Sequence, residues 1–417
     1  MSKLQSLTAR EILDSRGNPT LEVLCVLESG TMGQASVPSG ASTGAHEALE
    51  LRDHDTKRYN GLGVLRAIEN VNKEISENII KKEFDQQTLD KFLINLDGTK
   101  DKSRLGANAI LGVSMAFARG VATEEKIELY EYLGKLAGNT EFKIPQPFFN
   151  IINGGKHADS GIEIQEFMIA PTGWDTIAQK IQTGTEIISC LRENLKRDGY
   201  TVGLGDEGGF APKLGSNEEA LEYIMSAITD AGYTREQVKM GLDVAASSFY
   251  KENKYEIKMG GEKVEPTSIE LIAWYKSLID KYPIISIEDG LAEDDWAGFT
   301  EMNKELGGKI KIVGDDLTVT NLDRIKTAAE KNSINSVLIK LNQIGTLTET
   351  IEAIELTRAK GWVPFVSHRS GETTDTFIAD LAVGLSCPYI KSGSLARGER
   401  ICKYNRLMEI EEKLNKS

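Results

Sequence analysis

Apolar and polar positions follow two different periods in the N-terminal third of the chain. Residues 21–27 alternate between the two classes and are rich in β-forming residues, and a turn follows at 28–30, so residues 4–37 are predicted to form antiparallel strands. From Val64 to Lys126 apolar residues recur at helical spacing, which predicts helices. Residues 1–138 are therefore predicted to form a small α+β domain. Within it, residues 38–44 have too few apolar side chains for a core and are predicted to form a mobile loop.

Past Pro147 the pattern changes to short apolar runs separated by helical stretches, and each run leads to an ionisable residue. These end residues are Asp243, Glu288, Asp315, Lys340, His368 and Lys391. They recur at intervals of 23 to 28 residues after a first interval of 45, in which residues 254–258 are predicted to form an inserted hairpin. One strand, loop and helix together take roughly 30 residues. The repetition therefore predicts a parallel (β/α)8-type barrel over residues 139–417, an α/β fold capped by the N-terminal α+β domain.

Composition narrows the class of protein. Lysine and arginine number 49 against 63 aspartates and glutamates, a net charge of −14, which argues against general affinity for nucleic acid or anionic membranes. The four cysteines are scattered and form no Cys-x-x-Cys pair, so they are predicted to be free thiols in a reducing compartment. No uncharged apolar run approaches the length of a membrane span. These features predict a soluble cytoplasmic protein.

The strand-end residues suggest a metal site. In a barrel of this kind the carboxyl ends of the strands meet at one rim, so Asp243, Glu288 and Asp315 are predicted to converge there. A set of oxygen ligands favours Mg²⁺ or Mn²⁺ over zinc. The alternative is that the three carboxylates only pair with the neighbouring lysines.

Lys340 is a candidate base at the same rim. A lysine that is desolvated and close to cations has a lowered pKa and can take a proton near neutral pH. A base beside a metal is the pattern for removing a proton next to a carboxylate. Glu207, in the glycine-rich turn Asp206-Glu207-Gly208-Gly209, is a candidate general acid, and an exposed acidic turn is the alternative.

Several longer motifs resemble the enolase family across essentially the whole chain. They include SRGNPT (15–20), PSGASTG (38–44), NIINGG (150–155), IQEFMIAP (164–171), GDEGGFAP (205–212), GLDVAAS (241–247), SIEDG (286–290), VGDDLTVTN (313–321), IKLNQIGT (339–346), SHRSGET (367–373) and IKSG (390–393). The resemblance implies a carbon–oxygen hydro-lyase that interconverts 2-phospho-D-glycerate and phosphoenolpyruvate in glycolysis and gluconeogenesis. The segment 394–400 is expected to tolerate variation and to contact no residue assigned to the chemistry.

The resemblance also implies catalytic roles. Lys340 would take the proton from C2, and the resulting enediolate would be stabilised by metal. Glu207 would protonate the departing 3-hydroxyl, with Glu166 beside it. His157, on a mobile loop, would close over the site, and His368 would contact the substrate or orient its neighbours.

Ligand-binding roles follow from the same resemblance. Two Mg²⁺ ions are implied per site, the first held by Asp243, Glu288 and Asp315, and the second completed by Ser42. Arg369 and Ser370 would hold the phosphate. Lys391 would neutralise the substrate carboxylate, and Gln165 would contact the substrate or its neighbours.

Two other functions remain open from the sequence. One is another lyase or racemase of the same superfamily, which would not need Ser42, Arg369 and Ser370 around a phosphate. The other is a non-catalytic binding protein on the same scaffold. The resemblance further implies a homo-oligomer, either a dimer or an octamer, and in some members of the family additional partners at the cell surface.

Overall fold

The N-terminal part of the chain is an antiparallel sheet covered by helices. The computed structural model describes residues 1–40 and 44–416. Its first elements are β1 (Ser2–Leu13), β2 (Pro19–Leu27), β3 (Met32–Ser36), α1 (Leu65–Asn70), a π-helical turn (Val71–Ile75), α2 (Ser76–Ile79), β4 (Glu83–Phe84), α3 (Gln86–Asp97), α4 (Ala107–Glu125) and α5 (Leu129–Leu136). The sheet order is β3-β2-β1-β4, and its pairs are antiparallel. The predicted α+β character of this part is confirmed.

Helix α4 lies close against β2 and β3. Nearly all of its residues are buried, because both of its long faces meet protein. A Cβ at Gly33 would stand 2.0 Å from the carbonyl oxygen of Ala116. Only glycine therefore permits this approach of strand to helix.

The rest of the chain forms a closed eight-stranded barrel surrounded by helices. The elements run β5 (Gln146–Asn153), β6 (Glu166–Pro171), α6 (Ile177–Arg197), α7 (Asn217–Asp230), β7 (Val238–Asp243), β8 (Tyr250–Lys251), β9 (Lys254–Tyr255), β10 (Ile257–Met259), β11 (Glu262–Val264), α8 (Ser268–Lys281), β12 (Ile284–Glu288), α9 (Trp296–Leu306), β13 (Lys311–Gly314), α10 (Leu322–Lys331), β14 (Ser336–Ile339), α11 (Leu341–Ile344), α12 (Leu347–Ala359), β15 (Val363–Ser367), α13 (Phe377–Gly384), β16 (Tyr389–Lys391) and α14 (Gly398–Leu414). The barrel order is β12-β13-β14-β15-β16-β5-β6-β7. The inserted hairpin is present as two short antiparallel pairs, β8–β9 and β10–β11.

The predicted (β/α)8-type barrel is confirmed, but the parallel arrangement expected for its strands is wrong for one of them. Strand β6 runs antiparallel to both of its neighbours, β5 and β7. The connection from β5 to β6 contains only a 3₁₀ turn (Gly155–His157), too short a crossover to return the chain to the far end of the barrel. The remaining neighbouring pairs in the barrel are parallel.

The barrel interior is packed with side chains below the rim. Phe148, Met168, Val313, Leu338 and Phe365 from different strands form one buried cluster, and the Phe148 and Phe365 ring centroids are 4.8 Å apart. These side chains fill the barrel interior, so the residues of the rim lie above a packed apolar core. Over the described residues, no helix is both long enough and apolar enough to cross a membrane.

Candidate active site

The six predicted end residues do lie at one rim of the barrel. Asp243, Glu288 and Lys391 are the last residues of β7, β12 and β16. Asp315, Lys340 and His368 come directly after β13, β14 and β15. All except Lys340, which is partly buried, are buried side chains.

The reversal of β6 brings a further acid to this rim. Because β6 runs the other way, its first residue, Glu166, lies level with the last residues of its neighbours and pairs in register with Asp243 and Asn153. In a parallel strand the same residue would lie at the opposite end of the barrel.

Lys391 lies at the centre of the acidic side chains. Its Nζ is 3.1 Å from Glu166 Oε1, 3.1 Å from Asp243 Oδ2 and 2.9 Å from Glu288 Oε1. Burial lowers the pKa of Lys391, but Asp243, Glu166 and Glu288 outweigh it and raise the pKa well above its ordinary value. The lysine is therefore a fixed positive charge.

Lys340 pairs with Asp315, which changes the sequence-based expectation for its acidity. Lys340 Nζ is 2.5 Å from Asp315 Oδ2, and Gln343 Nε2 donates to Asp315 Oδ1 at 2.8 Å. Burial lowers the pKa of Lys340, but Asp315 outweighs burial and the pKa is raised. The predicted lowering is therefore wrong for this arrangement, because the nearest charge is a carboxylate.

The predicted carboxylates have the chemistry of a divalent cation site. Burial and the neighbouring Asp243 raise the pKa of Glu288 well above its ordinary value, even with Lys391 beside it. Lys391 alone leaves the negative charge of Glu166, Asp243 and Glu288 under-compensated, and a bound cation would offset it. Asp315 also lies within 4.8 Å, oxygen to oxygen, of Asp289 and Asp316. The oxygen-only donors therefore fit a hard cation.

Glu207 is buried, so the alternative of an exposed acidic turn is wrong. Its Oε2 accepts a hydrogen bond from Asn150 Nδ2 at 3.0 Å and lies 3.4 Å from His368 Nε2, whereas its Oε1 faces His157 Nδ1 at 3.5 Å. Its side chain, with those of His157 and Glu166, forms a group whose ligand atoms lie within 4.8 Å of one another.

The pKa values of Glu166 and Glu207 are shifted in opposite directions. Burial acts to raise the pKa of both side chains. For Glu166 the negative charge of Glu207 acts in the same direction, and the pKa is raised well above the ordinary range. For Glu207 the neighbouring His368, His157 and Arg400 outweigh burial and lower the pKa below its ordinary value. The two carboxyl groups are close enough to share a proton, so they titrate as one coupled pair.

Several buried polar atoms at this rim make no hydrogen bond within the described part of the chain. They are Gln165 Oε1, Glu166 Oε2, Asn150 Oδ1 and His157 Nδ1. Gln165 Nε2 is anchored to Asp243 Oδ2 at 3.4 Å. Unsatisfied buried polar atoms are costly without a partner, so they point to a polar ligand in this cleft.

The predicted phosphate residues meet the N-terminal part of the chain. Arg369 Nη1 is 2.9 Å from Glu47 Oε2 and 3.0 Å from Asn342 Oδ1. A Cβ at Gly40 would stand 1.9 Å from Arg369 Nη2, so glycine leaves room for the guanidinium. Ser370 is buried beside it. Ser42, the predicted ligand of a second metal ion, lies outside the described residues.

Several supporting residues at the rim carry little or no local sequence signal. Asp289 accepts hydrogen bonds from the backbone N–H groups of Asp315, at 2.9 Å, and Asp316, at 2.7 Å, and so joins the loops after β12 and β13. Its position directly after Glu288 was the available signal. Glu47 lies in a charged stretch that gave no such signal.

The expectation that residues 394–400 contact nothing catalytic is wrong. Arg400 reaches the ring of His368, Nη1 to Nδ1, at 2.5 Å. The contact joins helix α14 to the loop after β15, and no local sequence pattern encodes it.

The cleft brings together the predicted base, acid, lysines and arginine. It is lined by His157, Gln165, Glu166, Glu207, Asp243, Asp315, Lys340, His368, Arg369, Ser370 and Lys391, among others. A family model described as "Enolase, N-terminal domain" matches residues 4–133, and one described as "Enolase, C-terminal TIM barrel domain" matches residues 141–417. The two models together match nearly the whole chain, and the structure has the closed barrel and the rim described above. The protein therefore belongs to the enolase family and is a lyase of the enolase superfamily.

Proposed function

We propose that the protein catalyses the reversible dehydration of 2-phospho-D-glycerate to phosphoenolpyruvate. The observation that carries the proposal is that Lys340 and Glu207 line one cleft with Arg369 and Lys391. A base and an acid in one cleft suit removal of a proton and of a hydroxyl from neighbouring carbons. The two cations suit a substrate with both a phosphate and a carboxylate.

In the forward reaction Lys340 Nζ takes the proton from C2. The electron pair of the broken C–H bond goes toward the substrate carboxylate, where the fixed positive charge of Lys391 meets it. The same electron pair then forms the C2–C3 double bond as the 3-hydroxyl leaves. The hydroxyl departs as water with a proton delivered by Glu207, and Glu166 is the second carboxyl of the pair that stores this proton.

Binding residues orient the substrate for these steps. Arg369 and Ser370 hold the phosphate, Gln165 contacts the substrate, His368 orients Glu207, and His157 closes the cleft against water. Two Mg²⁺ ions are proposed, with Asp243, Glu288 and Asp315 holding the first and Ser42 helping to hold the second. When bound, Mg²⁺ supplies positive charge that offsets the second negative charge forming on the substrate carboxylate and lowers the pKa of Lys340.

The direct test is ultraviolet absorbance of the purified protein mixed with 2-phosphoglycerate and Mg²⁺, with and without a chelator. A rise that the chelator abolishes is expected, because the enol product is conjugated. If folded, Mg²⁺-loaded protein gave no rise but turned over an unphosphorylated hydroxy or amino acid, a different lyase or racemase would replace this proposal. If it turned over neither, a binding protein would replace it.

Membership of the enolase family also supports three proposals about domain bounds, cellular location and assembly. We propose that residues 1–138 and 139–417 are the two domains, that the protein works in the cytoplasm, and that it assembles as a dimer or an octamer. Light scattering on the eluting protein distinguishes the two assemblies from each other and from a monomer.

A further inference from the structure

Arg400, on helix α14, is fully buried beneath the catalytic rim. Its Nη1 donates to the carbonyl oxygen of Arg369 at 2.6 Å, and its Nη2 donates to that of Ser370 at 2.6 Å and to that of Asp206 at 3.3 Å. It thus joins the loop after β15 to the loop that carries Glu207. No step of the proposed reaction uses it.

Arg400 also contacts an imidazole nitrogen. Its Nη1 is 2.5 Å from His368 Nδ1. A guanidinium is always charged and has only donors, so Nδ1 must be the acceptor. The single proton of a neutral imidazole is then on Nε2. Burial lowers the pKa of His368 well below its ordinary value, and Arg400 adds to this against the opposing charge of Glu207.

The Nε2 atom of His368 faces the proposed acid. It lies 3.4 Å from Glu207 Oε2, and Asn150 Nδ2 donates to the same oxygen at 3.0 Å. Two donors therefore face Oε2, whereas Oε1 faces His157. The two oxygens of this carboxylate are not equivalent.

We propose that Arg400 is a positioning residue that holds His368 as its Nε2–H tautomer, so that His368 and Asn150 occupy Oε2 of Glu207 and leave Oε1 as the oxygen that transfers the proton. The assignment of Oε1 as the oxygen that transfers the proton rests on the proposed function. The tautomer itself does not, because it follows from the donor-only chemistry of arginine.

The tautomer can be measured without turnover. The chain has four histidines, so ¹⁵N labelling of histidine gives a spectrum in which His368 is assigned by comparison with His368→Gln. In the wild-type protein at neutral pH we expect a neutral ring with an unprotonated Nδ1 and a protonated Nε2. A ring protonated on Nδ1, or on both nitrogens, would overturn the proposal whether or not the protein is active.

The second test compares Arg400→Lys with Arg406→Lys. Both substitutions exchange the same residue types on α14, but Arg406 binds Asp380 and Glu128 away from the cleft. A lysine ammonium has three donors on a single atom and cannot replace the guanidinium at three carbonyl oxygens and the His368 ring at once. In Arg400→Lys we expect mixed His368 tautomers and dehydration roughly 10–100-fold slower, as is typical when a supporting partner is lost. Exchange of the C2 hydrogen with solvent should stay within a few-fold.

Two outcomes of that comparison count against the positioning role. The first is an unchanged tautomer and an unchanged dehydration rate in Arg400→Lys. The second is an equal loss of exchange and dehydration, which would make Arg400 a structural residue only. If the wild type itself showed no dehydration, the proposed function would be wrong. The ¹⁵N spectrum would still show whether Arg400 sets the tautomer of His368, because that measurement needs no turnover.

Discussion

Two glutamates in this protein differ in proton affinity because of where they lie and not because of their chemical type. Burial and the neighbouring Glu207 raise the pKa of Glu166, whereas His368, His157 and Arg400 outweigh burial and lower the pKa of Glu207. Strongly shifted pKa values of this kind cluster at functional sites. The same reasoning separates the two lysines, because Lys391 meets three carboxylates and Lys340 meets one.

Replacing Lys340 by alanine should abolish exchange of the C2 hydrogen. The side chain is the proposed base, and loss of a general base costs roughly 10²–10⁴-fold. Deuterium incorporation into 2-phosphoglycerate in D₂O, followed by proton NMR, measures the effect. Lys326→Ala is the control, because Lys326 is exposed and pairs with Asp323 on α10. Exchange at the wild-type rate in Lys340→Ala would assign the base to another residue.

Replacing Glu207 by glutamine should separate the two halves of the reaction. The amide keeps the shape of the side chain but cannot deliver a proton to the 3-hydroxyl, so dehydration should stop while some C2 exchange through Lys340 continues. Parallel absorbance and deuterium assays on one preparation measure both rates. Simultaneous loss of exchange and dehydration, in protein with a native circular dichroism spectrum, would contradict a separate acid role.

At the scale of single elements, one buried carboxyl joins the N-terminal helices to the barrel. Asp90 on α3 is buried, and its Oδ2 accepts from the backbone N–H of Thr348, at 2.9 Å, and from Thr348 Oγ1, at 2.6 Å. Thr348 lies in the first turn of α12, whose N–H groups favour an acceptor. Burial nevertheless outweighs these bonds and raises the pKa of Asp90.

Replacing Asp90 by asparagine should stabilise the protein at neutral pH by about 1 kcal/mol. A carboxyl whose pKa is higher in the folded state than in the unfolded state contributes most below the unfolded value, about 4, and loses this contribution as pH rises toward the folded value. The amide keeps an acceptor for Thr348 and does not ionise. The difference in urea midpoint between variant and wild type should therefore grow from pH 4 upward.

The control for this prediction is Asp85→Asn at the start of the same helix. Asp85 accepts from Thr88, which lowers its pKa, so its ionised form stabilises the folded state above pH 4, a range set by the ordinary aspartate pKa of about 4. Its replacement should lower stability at neutral pH, the opposite sign. A pH-independent effect of Asp90→Asn would mean that folding does not shift the pKa of Asp90.

At the scale of the whole molecule, the N-terminal part completes the rim of the barrel. Glu47 pairs with Arg369, Ser39 bridges to Gly371, and Arg119 of α4 pairs with Asp375 at 2.6 Å. These contacts hold the loop after β15, which carries His368, Arg369 and Ser370. The N-terminal part therefore shapes the proposed phosphate side of the cleft.

Binding of Mg²⁺ should raise the thermal stability of the whole protein. The acidic residues at the rim repel one another, and a ligand that binds only the folded state stabilises it by about 2.7 kcal/mol at 100-fold excess over its dissociation constant. Differential scanning fluorimetry with Mg²⁺ and with chelator measures the shift in Tm. Asp243→Asn should reduce the shift. An equal shift in this variant, or with sodium chloride at matched ionic strength, would place the effect outside the proposed site.

Local sequence was sufficient for the elements whose signal is local. The apolar runs predicted the strands, and the ionisable residue closing each run predicted which side chains lie at the rim, because parallel strands place their carboxyl ends at one edge. The sequence also predicted an α+β N-terminal part from its two hydrophobic periods. These features depend on side chains within a few residues of one another.

Tertiary structure decided the features that depend on distance between distant parts of the chain. The reversal of β6, which brings Glu166 to the rim, depends on how the chain returns after β5. The raised pKa of Lys340 depends on its contact with Asp315, and the tautomer of His368 depends on Arg400 from the last helix. Proton affinity and tautomer are set by the charges that surround a group in space, and local periodicity carries no information about those charges.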